Sequence, residues 1–302
     1  LEARVPPHFQ VLDEAQAADL LLAARDRALE SAERDAELAE ALRVVAARVD
    51  GVRFGELLQA VLARRTALVA AQERLGGRDE YLARLARQFG VKPGESEAGI
   101  LAEMTKPPAD LERRLRDCCE HLLKGAKTDI ERGNAIAGFF AGADRAALLT
   151  DYCSRFLTRD GEIRKTLATK GIGQPTQDAL LEEGRRLCAL EQRRRSAGVV
   201  ERSTALLKLA LAVVEAFEAE KKQRAALDYD DLIERTRALL AGAGGPSWVL
   251  YKLDGGFDHV LIDEAQDTSP QQWEVVRRLT EEFFAGSAAQ LQKRTLFVVG
   301  DL

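Results

Sequence analysis

From Asp13 to about Arg224, apolar residues return every three or four positions. That is the spacing of amphipathic helices with one face on a core. The clearest runs are 13–31, 33–49, 79–89, 110–123, 145–157, 177–195 and 204–224. In the last run Leu207, Ala210, Leu211, Val214 and Phe217 form one stripe. Glycine and proline interrupt the period at Gly51, Gly76 with Gly77, Lys92-Pro93-Gly94, Pro107 with Pro108, Gly161, and 171–175, so helix breaks are expected there. These are short connectors. The chain has no fixed repeat period and no low-complexity tract, so a regular solenoid is not indicated.

After about residue 226 the helical period gives way to short apolar runs bounded by Gly and Asp. Val260, Leu261 and Ile262 are consecutive aliphatics, the pattern of a parallel strand covered on both faces. Ser269 is placed to cap a helix, with Pro270 at its first position and Trp273, Val276, Leu279 and Phe283 along it. A second strand is expected over 294–301. Strand, helix and strand with roughly 30 residues between strand ends make a βαβ unit. Ligands of such units bind beyond the carboxyl ends of the strands, where Asp263, Glu264 and Asp301 stand.

Composition fits this division. The 302 residues include 48 Ala and 33 Arg but 6% aromatics, which favours helix over an all-β sandwich or barrel. The length predicts two domains at about 150 residues each, and 46% hydrophobic residues suffice for a real core. No run of 18 apolar residues occurs, so no membrane span is expected. The first residues lack the pattern of a signal peptide, and a cytoplasmic protein is the simple reading. The chain begins at Leu1 without a methionine, so an internal piece of a longer protein is expected.

Cys118, Cys119, Cys153 and Cys188 follow no CxxC spacing and are expected to be small, reduced, buried residues. His8, His121 and His259 lie far apart, and with no paired Cys or His spacing a zinc site has little support. Residues 1–226 hold 37 basic and 36 acidic residues, while 227–302 hold 7 and 13, so the acid excess lies in the last quarter. The helical part carries basic clusters at Arg64 with Arg65, Arg113-Arg114 with Arg116, Arg185 with Arg186, Arg193-Arg194-Arg195, and Lys221-Lys222 with Arg224. Each is a candidate for clamping nucleic-acid phosphates. The competing reading is a solvated helix face laced with Glu–Arg pairs, and Glu182, Glu183 and Glu191 fit it.

An acid pair at a strand end suits nucleotide hydrolysis. The first acid can hold Mg²⁺ through water, and the second can orient and deprotonate an attacking water. Asp263 and Glu264 alone are a weak signal, because two acids also cap strand–helix turns. The longer string Val260-Leu261-Ile262-Asp263-Glu264-Ala265-Gln266-Asp267-Thr268-Ser269-Pro270-Gln271-Gln272 resembles the Walker B segment (motif II) of superfamily 1 DNA helicases of the UvrD/RecB type. Upstream, Leu227-Asp228-Tyr229-Asp230-Asp231-Leu232-Ile233 is similar to that family's LDFDDLL segment, although Asp228 and Asp231 also suit a helix start. Downstream, Phe297-Val298-Val299-Gly300-Asp301 is similar to the opening of motif III. The first fourteen residues resemble the stretch after the T-x-H-x-F motif in AddA subunits of AddAB helicase–nucleases, the nearest branch by this reading.

The resemblance implies a mainly α fold: a large helical inserted domain, called 1B, over 1–226, then part of a RecA-like α/β domain, 1A, over 227–302. Its first dozen residues would lead in from 1A. It makes Asp263 the Mg²⁺ acid and Glu264 the catalytic base. Gln266, Asp267 and Asp301 would belong to the nucleotide network that couples to DNA. ATP and Mg²⁺ are the implied cofactors. The implied partners are duplex DNA ahead of a fork, single-stranded DNA and an AddB-type subunit. The parent would be an ATP-dependent 3′→5′ helicase with a possible nuclease domain, acting in double-strand-break repair and recombination.

No GxxxxGK[ST] string and no Gly-Lys dipeptide occur, so the loop that cradles phosphates is missing from these residues. The family places that loop upstream of Leu1, and its arginine finger and second RecA-like domain beyond Leu302. The piece alone is therefore expected to be inactive, with 257–302 its least stable part. The alternatives are a non-catalytic helical module that docks a partner subunit or duplex DNA, or a UvrD- or RecB-like helicase without nuclease.

Overall fold

The computed structural model describes Val5 and residues 8–241, 258–281 and 294–301. Phe283 and most of the first seven residues lie outside these. The described residues are mainly helical. Two compact units are present: one is Asp35–Ala210, the other Leu1–Arg34 together with Leu211–Leu302.

Helix starts follow side-chain chemistry. After β1 (Gln10–Val11), helix α1 (Glu14–Ser31) is capped by Asp13, whose carboxylate accepts from Gln16 N while the Gln16 side chain accepts from Asp13 N. This capping box satisfies two backbone donors that a helix end leaves unpaired. Asp35 and Asp50 likewise cap α2 (Ala36–Ala46) and α3 (Gly51–Leu62). Next come α4 (Arg65–Arg74), α5 (Arg78–Gln88), and α6 (Glu97–Met104), the last capped by Ser96. The unit continues through α7 (Ala109–Leu122), α8 (Lys127–Ala141) and α9 (Arg145–Phe156). Its core gathers Ile100, Leu115, Leu122, Ile136, Phe139, Phe156 and Leu187. At its centre Phe139 and Tyr152 stack at 3.9 Å, and the Tyr152 hydroxyl donates to buried Glu183 at 2.9 Å.

Two expectations need correction. The periodic runs 177–195 and 204–224 are one helix, α10 (Gln174–Gln223). Gly198, inside it, costs only about 1 kcal/mol against alanine, too little to break a packed helix. It also leaves room for Glu97, because a Cβ there would lie 2.7 Å from Glu97 Oε2. Helices α3, α4, α6 and α8 fall outside the clearest periodic runs. In α8 the cause is Gly133, which looks like a breaker but lets α8 approach α7: a Cβ would lie 3.0 Å from Leu122 Cβ.

In the other unit, β1 pairs in parallel with β2 (Ala226–Leu227), Gln10 opposite Ala226 and Val11 opposite Leu227. Leu20 and Ala24 of α1 pack on Phe217 of α10. The stripe read from sequence is buried at Ala210, Leu211, Val214 and Phe217, with Leu207 half-buried. Helix α11 (Tyr229–Ala241) packs on α12 (Pro270–Thr280), and Arg237 bridges to Glu274 at 3.1 Å. Strand β3 (His259–Ile262) runs parallel to β4 (Thr295–Val298), with Ile262 opposite Val298. The expected covering of β3 on both faces does not hold: Leu261 is 70% exposed and its neighbour Phe297 62%. Among the described residues the sheet has two strands, and one of its faces carries no packing element.

The thiols are free. Cys118 and Cys119 are buried, Cys153 and Cys188 half-buried; burial raises the Cys119 pKa to about 11 and that of Cys153 to about 12. No described helix is long and apolar enough to cross a membrane.

Candidate functional site

The carboxyl ends of β3 and β4 build a small polar platform. Val299 N donates to Ile262 O at 2.8 Å, and Ala265 N donates to Val299 O at 2.9 Å, so the ladder continues past both strands. Between those bonds the chain turns at Asp263 and Glu264. Glu264 takes left-handed dihedrals, φ 52° and ψ 47°, a conformation that costs a side-chain-bearing residue about 1 kcal/mol or more. The turn is held locally: Glu264 N donates to Asp263 Oδ1 at 3.0 Å and Asp267 N to Glu264 O at 2.9 Å. A 3₁₀ turn (Ala265–Asp267) follows. Ser269 and Gln272 then form a reciprocal capping box at the start of α12, with Pro270 at its first position, as the sequence requires.

Gln266 ties the platform together. Its Nε2 donates to Glu264 Oε2 at 2.5 Å, and its Oε1 accepts from Asp301 N at 3.0 Å. One amide thus holds the Glu264 carboxylate on one side and the backbone after β4 on the other. Gly300 allows this approach, since a Cβ there would lie 2.7 Å from Gln266 Oε1 and 3.1 Å from Ala265 N. Asp263, Glu264, Gln266, Asp267 and Asp301 are all exposed. Among the described residues no three acid, imidazole or thiol side chains gather as a metal cage. The donor set still suits Mg²⁺, which takes one or two protein carboxylates and completes its shell with water and phosphate oxygens. Asp263 has its second oxygen uncommitted among the described residues.

The segment 227–233 lies upstream of this platform in sequence and has its own work. Asp231 N donates to Asp228 Oδ1 at 2.9 Å and Asp228 N to Asp231 Oδ2 at 3.0 Å, a reciprocal cap at the start of α11. Buried Lys221 reaches Asp231 at 2.7 Å, Glu218 at 2.8 Å and Asp228 at 3.3 Å. Burial works against its charge, but the bonds to Asp231 and Glu218 outweigh that and hold its pKa above the usual lysine value. Sequence reasoning treated Lys221 as part of a surface cluster and missed this role, because two of its partners, Asp228 and Asp231, stand across a turn.

Most arginines nominated for phosphate contact are already paired. Arg113 bonds Asp110 at 2.6 Å, and Arg114 bonds Asp110 and Glu182. Arg193 holds Glu95 at 2.5 Å, Arg194 holds Glu97 and Glu191, and Arg195 holds Glu191 at 2.8 Å. Arg186 is bound to buried Glu183 at 2.7 Å. Arg64 stands exposed just before α4, and half-buried Arg65 opens it. The structure brings Asp263, Glu264, Gln266 and Asp301 together and leaves the arginine clusters spread over the helical unit.

Comparison with known proteins comes from two directions. Residues 100–302 match the model of the UvrD/REP helicase N-terminal domain. The chain is 34% identical over 97 residues to an ATP-dependent helicase/nuclease subunit of Latilactobacillus sakei subsp. sakei (strain 23K), covering 32% of this chain and 10% of that protein. It is 35% identical over 95 residues to the RecB subunit of the RecBCD enzyme of Mycolicibacterium smegmatis (strain ATCC 700084 / mc(2)155), covering 32% of this chain and 8% of that protein. A further ATP-dependent helicase/nuclease subunit, from Listeria innocua serovar 6a, is 36% identical over 88 residues. The chain therefore spans about a tenth or less of the curated relatives it matches.

Proposed function

Because the chain belongs to the UvrD/REP helicase N-terminal domain family, as a UvrD/RecB-type superfamily 1 segment close to AddA, we propose that Asp263 and Glu264 are the acid half of a nucleotide-hydrolysis site. The observation that carries this reading is the Gln266 bridge, which fixes the Glu264 carboxylate against the backbone after β4. In this reading residues 227–302 are part of a RecA-like 1A domain and 1–226 a helical 1B insertion. The β1–β2 pairing, which sets residues before and after the helical stretch side by side, supports that assignment.

Asp263 would hold Mg²⁺ through its water shell. When bound, MgATP supplies the phosphoanhydride bond and a metal that neutralises charge developing on the phosphates. Glu264 would orient water and accept its proton at Oε1, because Oε2 is occupied by Gln266. Gln266 keeps that carboxylate from turning away and carries any displacement of the acid to Asp301. Asp267 and Asp301 would complete the network that communicates with DNA.

The whole protein is read as an ATP-dependent 3′→5′ DNA helicase/nuclease subunit of double-strand-break repair, cytoplasmic and paired with an AddB-type subunit. The 302-residue chain, lacking a phosphate-cradling Gly-Lys loop, is read as inactive alone. Glu264→Gln in the full-length protein tests the role of the acid. Hydrolysis should fall by about 10²- to 10⁴-fold while nucleotide affinity stays within a few-fold. Unchanged turnover in that variant removes the reading.

A further inference from the structure

A second group of cations converges away from α7 and α10. Between α8, α9 and residues 158–169 lies an open cleft of about 520 Å³ lined by Arg132, Arg155, Arg164 and Lys165. Its acids are Asp129 and Glu131, so cations outnumber them by two. Asp129 is fully buried and saturated: Oδ1 accepts Thr169 N at 3.0 Å, and Oδ2 accepts Thr169 Oγ1 at 2.6 Å and Ala126 N at 3.1 Å.

The cations here are bonded differently from those on α10. Arg132 donates to the carbonyls of Arg155 and Leu167, and Arg164 donates through Nε to Ser154 O at 2.8 Å. Lys165 is exposed and has no carboxylate partner among the described residues. Arg155 reaches Asp151 at 2.7 Å, but its buried Nε finds no acceptor. Carbonyls orient a guanidinium without neutralising it, so Arg132 and Arg164, together with Lys165, leave the cleft a net positive lining. Burial, with Arg164 and Arg155 nearby, accordingly lowers the Arg132 pKa from its usual value despite Asp129. Three positioned guanidinia, one of them with an Nε that lacks an acceptor, and an ammonium fit a tetrahedral oxyanion.

We propose that this cleft grips a backbone phosphate of DNA and is the principal phosphate contact of the helical unit, in place of the paired arginines of α7 and α10. The cleft is open, as a continuous chain requires, and its lining holds no aromatic side chain on which a base could stack. The choice of DNA over a free phosphate rests on the helicase reading; the oxyanion chemistry does not.

The test uses the 302-residue chain and two double variants with equal charge change, Arg164→Glu/Lys165→Glu in the cleft and Arg113→Glu/Arg114→Glu on α7. Fluorescence anisotropy with a labelled duplex is recorded between about 50 and 200 mM salt, and thermal stabilisation by inorganic phosphate is measured against chloride at matched ionic strength. The cleft variant should lose about tenfold or more in DNA affinity, lower the salt slope by about two, and lose the phosphate stabilisation, while the α7 variant stays within about twofold. Lys165→Glu alone, at an exposed side chain, should show a smaller loss and keeps the test valid if the double variant misfolds. Equal losses in both double variants, loss in neither, or no binding by the wild type overturns the proposal. Phosphate stabilisation that needs Arg164 and Lys165 without DNA binding overturns its nucleic-acid half. Failure of the Glu264 hydrolysis test changes neither arm.

Discussion

Lys221 keeps its charge in a nearly water-free place because Asp231, Glu218 and Asp228 surround it. Replacing it with methionine would remove the cation that Asp231, Glu218 and the buried Asp228 share. Removing one partner from a buried ion group costs about 3–5 kcal/mol, so Lys221→Met should shift the urea midpoint strongly at unchanged slope. A loss below about 1 kcal/mol would show that water, not Lys221, satisfies these acids. Legibility at this scale follows distance along the chain. The caps at Asp228 and Ser269 could be read because donor and acceptor are three residues apart. The Gln266 link to Asp301 spans 35 residues, and only the resemblance to helicase motifs drew attention to both ends. The cleft cations Arg132, Arg155 and the pair Arg164-Lys165 lie far apart in sequence, so the chain gave no single cluster to notice.

Helices were legible where glycine and proline punctuate the period, and obscured where glycine serves packing. Gly133 and Gly138 both sit in α8, yet they differ. Gly133 is buried against Leu122, whereas a Cβ at exposed Gly138 meets nothing within 4 Å. Gly138→Ala should therefore stabilise the unit by about 0.5–1 kcal/mol, the usual gain for removing an exposed helical glycine. Gly133→Leu should destabilise it by about 1–3 kcal/mol through overpacking. Chemical denaturation of both variants checks the pair, and equal effects would contradict the α7–α8 approach. Strand order was legible from Val260–Ile262 and the run before Gly300. The exposure of the sheet was not, because an apolar triplet reports the environment a strand suits and cannot say whether its second face is covered here.

Charge organises the molecule as a whole. Glu112 is held below the usual carboxyl range first by Arg145, Glu191 by Arg194, and Glu95 by the Lys92 backbone N–H and then Arg193. A carboxyl with a depressed folded pKa stabilises fully above its unfolded value, about 4.3, and loses that contribution as pH falls through the folded value. The thermal midpoint of the chain should thus fall steeply below about pH 4 and change little from about pH 6 to 8 through these groups. A midpoint that stays flat on acidification to about pH 3 would contradict the network's role. Stability should also be uneven. Leu261 and Phe297 lie exposed on a two-stranded ladder, while the core around Phe139 and Tyr152 is closed. Amides of β3 and β4 should exchange well before those of α7–α9, and equal protection would contradict this reading.

The acid half of a nucleotide site without its phosphate-cradling half is the central claim, and magnesium-dependent ATP hydrolysis by the 302-residue chain and by the full-length protein tests it most directly. No turnover above background is predicted for the chain, with turnover in the full-length protein that Glu264→Gln removes. Hydrolysis by the chain alone that Glu264→Gln abolishes, or wild-type turnover in the full-length variant, would contradict it.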